Sequence, residues 1–160
     1  MGIALGALDK AAKYTASSTR AWPFGGDNKE EATDEFYILE RYGNFRAHLR
    51  AAEALVDYAG IHIASVYANH AEKRDMTAQA RGDAAEWVTS AKIVTTDTGL
   101  TVTSGIFEVL GARATGKPLG FDKFWRDIRT HTVHDPVAYK NRELGRYILV
   151  EEVRWPTVFE

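Results

Sequence analysis

Two histidines three residues apart, His131 and His134, sit inside the run Arg126-Asp127-Ile128-Arg129-Thr130-His131-Thr132-Val133-His134-Asp135-Pro136. An imidazole titrating near neutrality can exchange a proton or donate a hydrogen bond to an oxyanion, which makes His134 a candidate for that chemistry. The competing reading is a histidine near a helix end that caps carbonyls or faces water. A metal reading lacks a third and a fourth ligand. His48, His62 and His70 have no carboxylate–histidine cluster at metal spacing around them and read as structural or exposed. No Walker loop, GxGxxG, GxSxG or HExxH run is present.

Those side chains need a scaffold, and composition bounds it. The 160 residues are of single-domain length, enough to bury roughly 70% of the surface of an unfolded chain in one core. A hydrophobic fraction of 45% and a charged fraction of 26% are those of a globular protein. The net charge of −2 gives no general attraction to nucleic acid or anionic membrane. The absence of cysteine excludes disulfides, thiolate zinc sites and a cysteine nucleophile, and fits a reducing, cytoplasmic location. No apolar run reaches the roughly 18 residues that span a bilayer, and the N-terminus does not read as a signal segment.

Ile3, Leu5 and Leu8, with Ala4, Ala7, Ala11 and Ala12, are in helical rhythm with no capping Ser, Thr, Asp or Asn before them. The expectation is a sequence that starts inside a helix, as a fragment or the product of a gene stripped of upstream domains; a frayed native terminus is the other reading. This helix runs to about Ser18 and is broken by Trp22-Pro23-Phe24-Gly25-Gly26. Thr33 reads as the N-cap of a long second helix, with Asp34 and Glu35 as negative charges in its first turn. Phe36, Leu39, Phe45, Leu49, Ala52, Leu55, Val56, Ala59, Ile63 and Val66 form its apolar stripe. The polar stretch Asn69 to Gly82 holds a turn, with Thr77 as the next cap.

Ala84 to Leu110 is ambiguous. Ile93-Val94-Thr95-Thr96 and Leu100-Thr101-Val102-Thr103 have the β-branched residues of strands. Yet Ala84, Trp87, Ala91, Val94, Thr98, Val102, Gly105 and Val109 keep a helical repeat, in which Thr and Gly would permit close approach. Beyond Gly111, a loop through Gly116, Pro118 and Gly120 leads to Asp122, read as the N-cap of Lys123 to Arg129. Asp135 reads as an N-cap with Pro136 at the first position of a last helix to about Val150, and the tail from Arg154 through Pro156 reads as extended. No repeat, low-complexity segment or linker divides residues 1–160, which read as one domain.

Gly105-Ile106-Phe107-Glu108-Val109-Leu110-Gly111-Ala112-Arg113-Ala114-Thr115, Gly120-Phe121-Asp122-Lys123-Phe124-Trp125-Arg126-Asp127 and Val133-His134-Asp135-Pro136-Val137-Ala138-Tyr139-Lys140 together resemble the C-terminal domain of the acyl-CoA dehydrogenase superfamily. Within it they are most similar to the flavin-dependent monooxygenase branch that acts on organosulfur compounds, the dibenzothiophene and sulfone monooxygenases. Arg20-Ala21-Trp22-Pro23, Ala32-Thr33-Asp34 and Arg41-Tyr42-Gly43 extend the likeness over most of the chain. The resemblance implies an all-α fold, an up-down four-helix bundle with additional short C-terminal helices, and helix over Ala84 to Leu110. It also implies FMN, or FAD in the alternative, at sites shared across a tetramer interface.

In family members the loop after the first bundle helix supplies an arginine to the flavin phosphate, which maps onto Arg20 with Trp22 beside it. The loop after the Gly-Ala element approaches the nucleotide and makes Arg113, Thr115 and Lys117 candidates; guanidinium and ammonium groups suit phosphate. The competing reading for each is a side chain on a solvated loop. His134 matches the histidine that monooxygenase relatives place near the reactive edge of the flavin, where it would stabilise or protonate activated oxygen. Asp135 falls where dehydrogenases place a catalytic glutamate, but a shorter carboxylate in an Asp-Pro pair argues against dehydrogenation.

Most of a flavin site in that family comes from an N-terminal helical domain and a middle β domain. The sequence therefore reads as the C-terminal part of a larger flavoenzyme, inactive alone and not retaining its flavin. Three functions stand: a two-component monooxygenase whose FMN is reduced by a partner flavin reductase, an FAD-dependent acyl-CoA dehydrogenase, and a non-catalytic oligomerisation bundle. Self-association as a dimer or tetramer is expected, because family bundles form tetramer cores and a fragment would expose surface once covered. No nucleic-acid or membrane partner is expected.

Overall fold

Helical periodicity carries the architecture. The computed structural model describes residues 1–153, which form α1 (Gly2–Ser18), α2 (Phe36–His70), α3 (Ala78–Leu110), α4 (Asp122–His134) and α5 (Val137–Val150). Short 3-10 turns at Ala32–Asp34, Ala112–Thr115 and Lys117–Leu119 punctuate the connections. The only β pairing among the described residues is an isolated bridge between Arg20 and Glu31. α2 and α3, of 35 and 33 residues, form an antiparallel hairpin roughly 50 Å long. α1 packs on the C-terminal half of α3, and α4 then α5 run back along α3 toward its start.

α3 is helical despite its β-branched runs because tertiary packing outweighs propensity. Gly105 faces the ring of Phe45, and Gly99 faces Ile128, so α2 and α4 approach the α3 backbone closely. The buried Thr103 hydroxyl donates to the Gly99 carbonyl at 2.7 Å, which satisfies it inside the helix. Thr77 caps α3 by accepting the Ala80 N–H at 3.1 Å, as its position suggests.

The core gathers at one end of the bundle. Ala4, Ala7, Leu8 and Ala11 of α1, Ile38, Phe45 and Leu49 of α2, Val102, Ile106, Val109 and Leu110 of α3, and Phe121 and Ile128 around α4 form one buried cluster. The distal half of α2 is thinly covered. Ala52 and Ala59 are buried there, but Tyr58, Ile61, Ile63 and Tyr67 are exposed. This corrects the proposed stripe on α2: Phe36, Leu39, Val56 and Ile63 face outward, whereas Ile38, absent from it, is buried.

Three caps differ from expectation. Thr33 lies within the 3-10 turn, the N-cap of α2 is Glu35, and no acidic residue lies in the first turn of that helix. Asp122 is the first residue of α4 after an N-cap at Phe121, and it pairs with Arg126 at 3.1 Å along the helix surface. Pro136 is itself the N-cap of α5, so Asp135 sits one position too early to cap it. Each is a shift of one or two residues, and none of the three observed N-caps makes a side-chain capping hydrogen bond. The extended tail expected at Arg154 to Pro156 lies outside the described residues. No helix among the described residues is long and apolar enough to cross a membrane.

Candidate functional site

The break after α1 follows from Pro23 and from Gly25 and Asn28, both at positive φ (66° and 53°). The resulting loop carries Arg20 and Trp22. Arg20 is exposed and its backbone bridges to Glu31; Trp22 is 55% exposed and stacks edge-on to Phe24, with ring centroids 5.9 Å apart. The Trp22 N–H donates to Glu35 Oε1 at 2.8 Å, and the Phe36 N–H donates to Asp27 Oδ2 at 2.7 Å. Sequence reasoning placed Glu35 in a helix turn and gave Asp27 no role. Their only signal was two carboxylates flanking a glycine-containing loop before a helix.

The second loop starts where Gly111, at φ 78°, stops α3. It presents Arg113, Thr115 and Lys117 on exposed 3-10 turns, and neither Arg113 nor Lys117 forms an ion pair among the described residues. Thr115 is different, because its hydroxyl donates to the Ala112 carbonyl at 2.8 Å and so can offer a ligand only lone pairs. The loop is anchored from α1, where the Lys10 ammonium donates to the Leu119 carbonyl and lies 4.7 Å from the Phe121 ring centroid.

Both loops lie at the same end of the α2–α3 hairpin. Arg41, one turn into α2, pairs with Glu108, close to the end of α3, and Phe45 packs on Gly105. The structure therefore gathers Arg20, Trp22, Arg113, Thr115 and Lys117 at one end. Arg20, Arg113 and Lys117 bring donors suited to a phosphate there, on loops that also carry Lys29 and the carboxylates Asp27, Glu30, Glu31, Asp34 and Glu35.

His134 does not join them. It is the exposed last residue of α4, beside a groove of ≈ 370 Å³ that α4 and the start of α5 form with Thr96, Asp97 and Leu100 of α3. Thr96 is fourteen residues before Leu110, which separates the groove from the two-loop end by roughly 20 Å along the helix. Asp135 lies 4.0 Å from Lys140 on α5. Among the described residues no group of three or more His, Asp or Glu side chains is placed to hold a metal ion.

A second cleft of ≈ 340 Å³ separates α3 from α5, lined by Gly82, Val88, Leu144 and Tyr147 among others. The Tyr147 phenol donates to Asp83 Oδ1 at 2.6 Å. That hydrogen bond, then burial and the nearby negative charge of Asp83, Glu86 and Glu151, push its pKa up to about 12.

The bundle and its connections define a class. The family described as acyl-CoA dehydrogenase, C-terminal domain, matches residues 1–138, and the chain belongs to that family. Within it, the dibenzothiophene monooxygenase of Mycolicibacterium goodii is 42% identical over 150 residues, which are 93% of this chain and 35% of that protein. FMN-bound TdsC from a Paenibacillus species superimposes with a TM-score of 0.90 at 41% identity, covering 99% of this chain and 38% of the other. The methanesulfinate monooxygenase of Pseudomonas fluorescens does so with a TM-score of 0.91 at 36% identity, covering 99% and 40%. The chain thus spans little more than a third of the length of these relatives.

Proposed function

We propose that residues 1–160 form one domain, the C-terminal helical part of a two-component flavin monooxygenase that oxygenates a small apolar, organosulfur substrate in the cytoplasm. The observation that carries this reading is the combination of near-complete alignment to an FMN-bound relative with the phosphate-suited donors of Arg20, Arg113 and Lys117 at one end of the bundle. Reduced FMN, supplied by a partner flavin reductase, brings the electrons that activate oxygen. Arg20, Arg113 and Lys117 bind its phosphate, Trp22 flanks it, and Thr115 contributes an acceptor only. His134 holds or delivers a proton at its imidazole near the reacting oxygen.

The roughly 20 Å between the two-loop end and His134 supports sites completed by other protein, either upstream domains or a second copy of the chain. A dimer or tetramer is supported by exposed Tyr58, Ile61, Tyr67, Ile148 and Leu149. The isolated chain is then inactive and does not retain its flavin. The dehydrogenase alternative is disfavoured by Asp135, whose short carboxylate lies toward Lys140.

The test is to express the whole reading frame that encodes this sequence and supply a flavin reductase, NADH, FMN and dibenzothiophene. Oxygen uptake coupled to a sulfoxide or sulfone product is expected, and His134→Ala cuts turnover by about 100-fold, the usual weight of a proton-transferring group. Acyl-CoA oxidation with FAD and no sulfur oxygenation defeats the reading.

A further inference from the structure

The loop between α1 and α2 is held by two carboxylates that serve each other's segments. Glu35 is the N-cap of α2 and its carbonyl accepts the Leu39 N–H at 3.0 Å, yet its side chain turns away from the helix to the Trp22 N–H. Asp27, from the loop, accepts the Phe36 N–H instead. Glu35 is 1% exposed, whereas Asp27 is on the surface. A buried carboxylate is tolerated only when hydrogen bonds or opposite charge offset its desolvation, and the positive end of α2 contributes here. The loop also closes tightly over this pair. A Cβ on Gly26 would lie 3.3 Å from Trp22 Cδ1 and 3.7 Å from Glu35 Oε2.

We propose that Glu35 is a positioning residue for the phosphate end of the flavin site, fixing the backbone at Trp22 so that the Arg20 guanidinium and the Trp22 ring are presented before the ligand arrives. The inference rests on Arg20 and Trp22 being flavin contacts. With the clasp made, the loop is ordered in the free protein. Without it, ordering falls on the binding step and weakens affinity.

Glu35→Met keeps the buried volume and removes the acceptor, while Glu35→Gln keeps an acceptor oxygen. In the protein encoded by the whole reading frame, hydrogen exchange at the Trp22 amide is expected to speed up by about tenfold in E35M and to stay near wild type in E35Q, the scale of one hydrogen bond to a charged group. FMN titration is expected to show about tenfold weaker binding for E35M, rescue in E35Q, and a less than additive loss when E35M is added to Arg20→Ala. If E35M does not fold, Glu35→Asp, which keeps the carboxylate but shortens its reach to the Trp22 N–H by one methylene, carries the same measurements.

Unchanged FMN affinity in R20A removes the flavin reading of the loop and the inference with it. Weakened binding in R20A beside wild-type binding in E35M, with the Trp22 amide exposed, overturns the positioning role alone. An amide still protected in E35M overturns the clasp itself.

Discussion

The contact between Gly105 and Phe45 decides how closely α2 and α3 pack, and Gly105→Ala perturbs it with a single methyl group. A Cβ at Gly105 would sit 2.7 Å from Cζ and 2.8 Å from Cε1 of Phe45, a ring only 1% exposed in the core. Carbon atoms prefer about 3.5–4.0 Å, so the intrusion is close to 1 Å into a flat ring enclosed on all sides. Overpacking costs about 1–3 kcal/mol, and an intrusion this deep into a core ring falls in the upper part, about 2–3 kcal/mol, of which the better helix propensity of alanine returns about 1 kcal/mol. A net loss of about 1–2 kcal/mol follows, or a melting temperature lower by roughly 2–8 °C for a chain of this length.

Gly99→Ala is the internal control. Its Cβ would meet the Ile128 Cδ1 atom at 3.0 Å, the movable tip of a side chain. The helix gain then dominates, and stability stays level or rises by up to about 1 kcal/mol. Denaturation followed by circular dichroism, at one fixed protein concentration, reads both variants. Phe45→Leu in the G105A background should restore part of the loss, since leucine lacks the Cε1 and Cζ atoms that collide. G105A as stable as wild type, or no relief from the leucine, would refute the packing argument.

Tyr147→Phe removes the bond to Asp83 and should cost about 1 kcal/mol at neutral pH. Because the folded phenol is raised from 10.0 to about 12, its contribution is complete below pH 10 and is lost as pH climbs toward 12; ultraviolet titration of wild type against Y147F checks the sign. Arg41 and Glu108 pair at the surface, so a double-mutant cycle should give a weak coupling that shrinks in high salt. A large, salt-independent coupling would contradict that. Thr15 and Tyr42 hydroxyls lie 2.7 Å apart between α1 and α2. Tyr42→Phe should therefore loosen α1, seen as faster hydrogen exchange in that helix with α3 unaffected. Light scattering should show a dimer or tetramer, and a monomer at high concentration would count against the exposed apolar side chains as an interface.

The helices were legible wherever apolar spacing was strong. α1 was readable from Ala4, Leu8 and Ala11, and the cap at Thr77 from its place before α3. α3 was not legible from propensity, because Thr96, Val102 and Thr103 favour strands until Gly99 and Gly105 bring neighbouring helices against them. Caps were misplaced at Thr33, Asp122 and Asp135 because the N-caps of these helices are Glu35, Phe121 and Pro136, none of which caps through its side chain, so polar residue type gave no guide to the boundary. The outward face of α2 was overcounted because spacing alone does not show whether a partner covers it. At the candidate site, the family resemblance pointed to Arg20, Arg113 and Lys117, but Glu35 was invisible: nothing in a sequence says which backbone amide, thirteen residues away, a carboxylate will find.

If this bundle serves oxygen insertion by reduced FMN, labelled dioxygen will report it. With the protein from the whole reading frame, a flavin reductase, FMN and dibenzothiophene, mass spectrometry should find the isotope in the oxidised sulfur product. Product oxygen drawn from water, or an unmodified thioether beside flavin reduced by an acyl-CoA, would contradict the account.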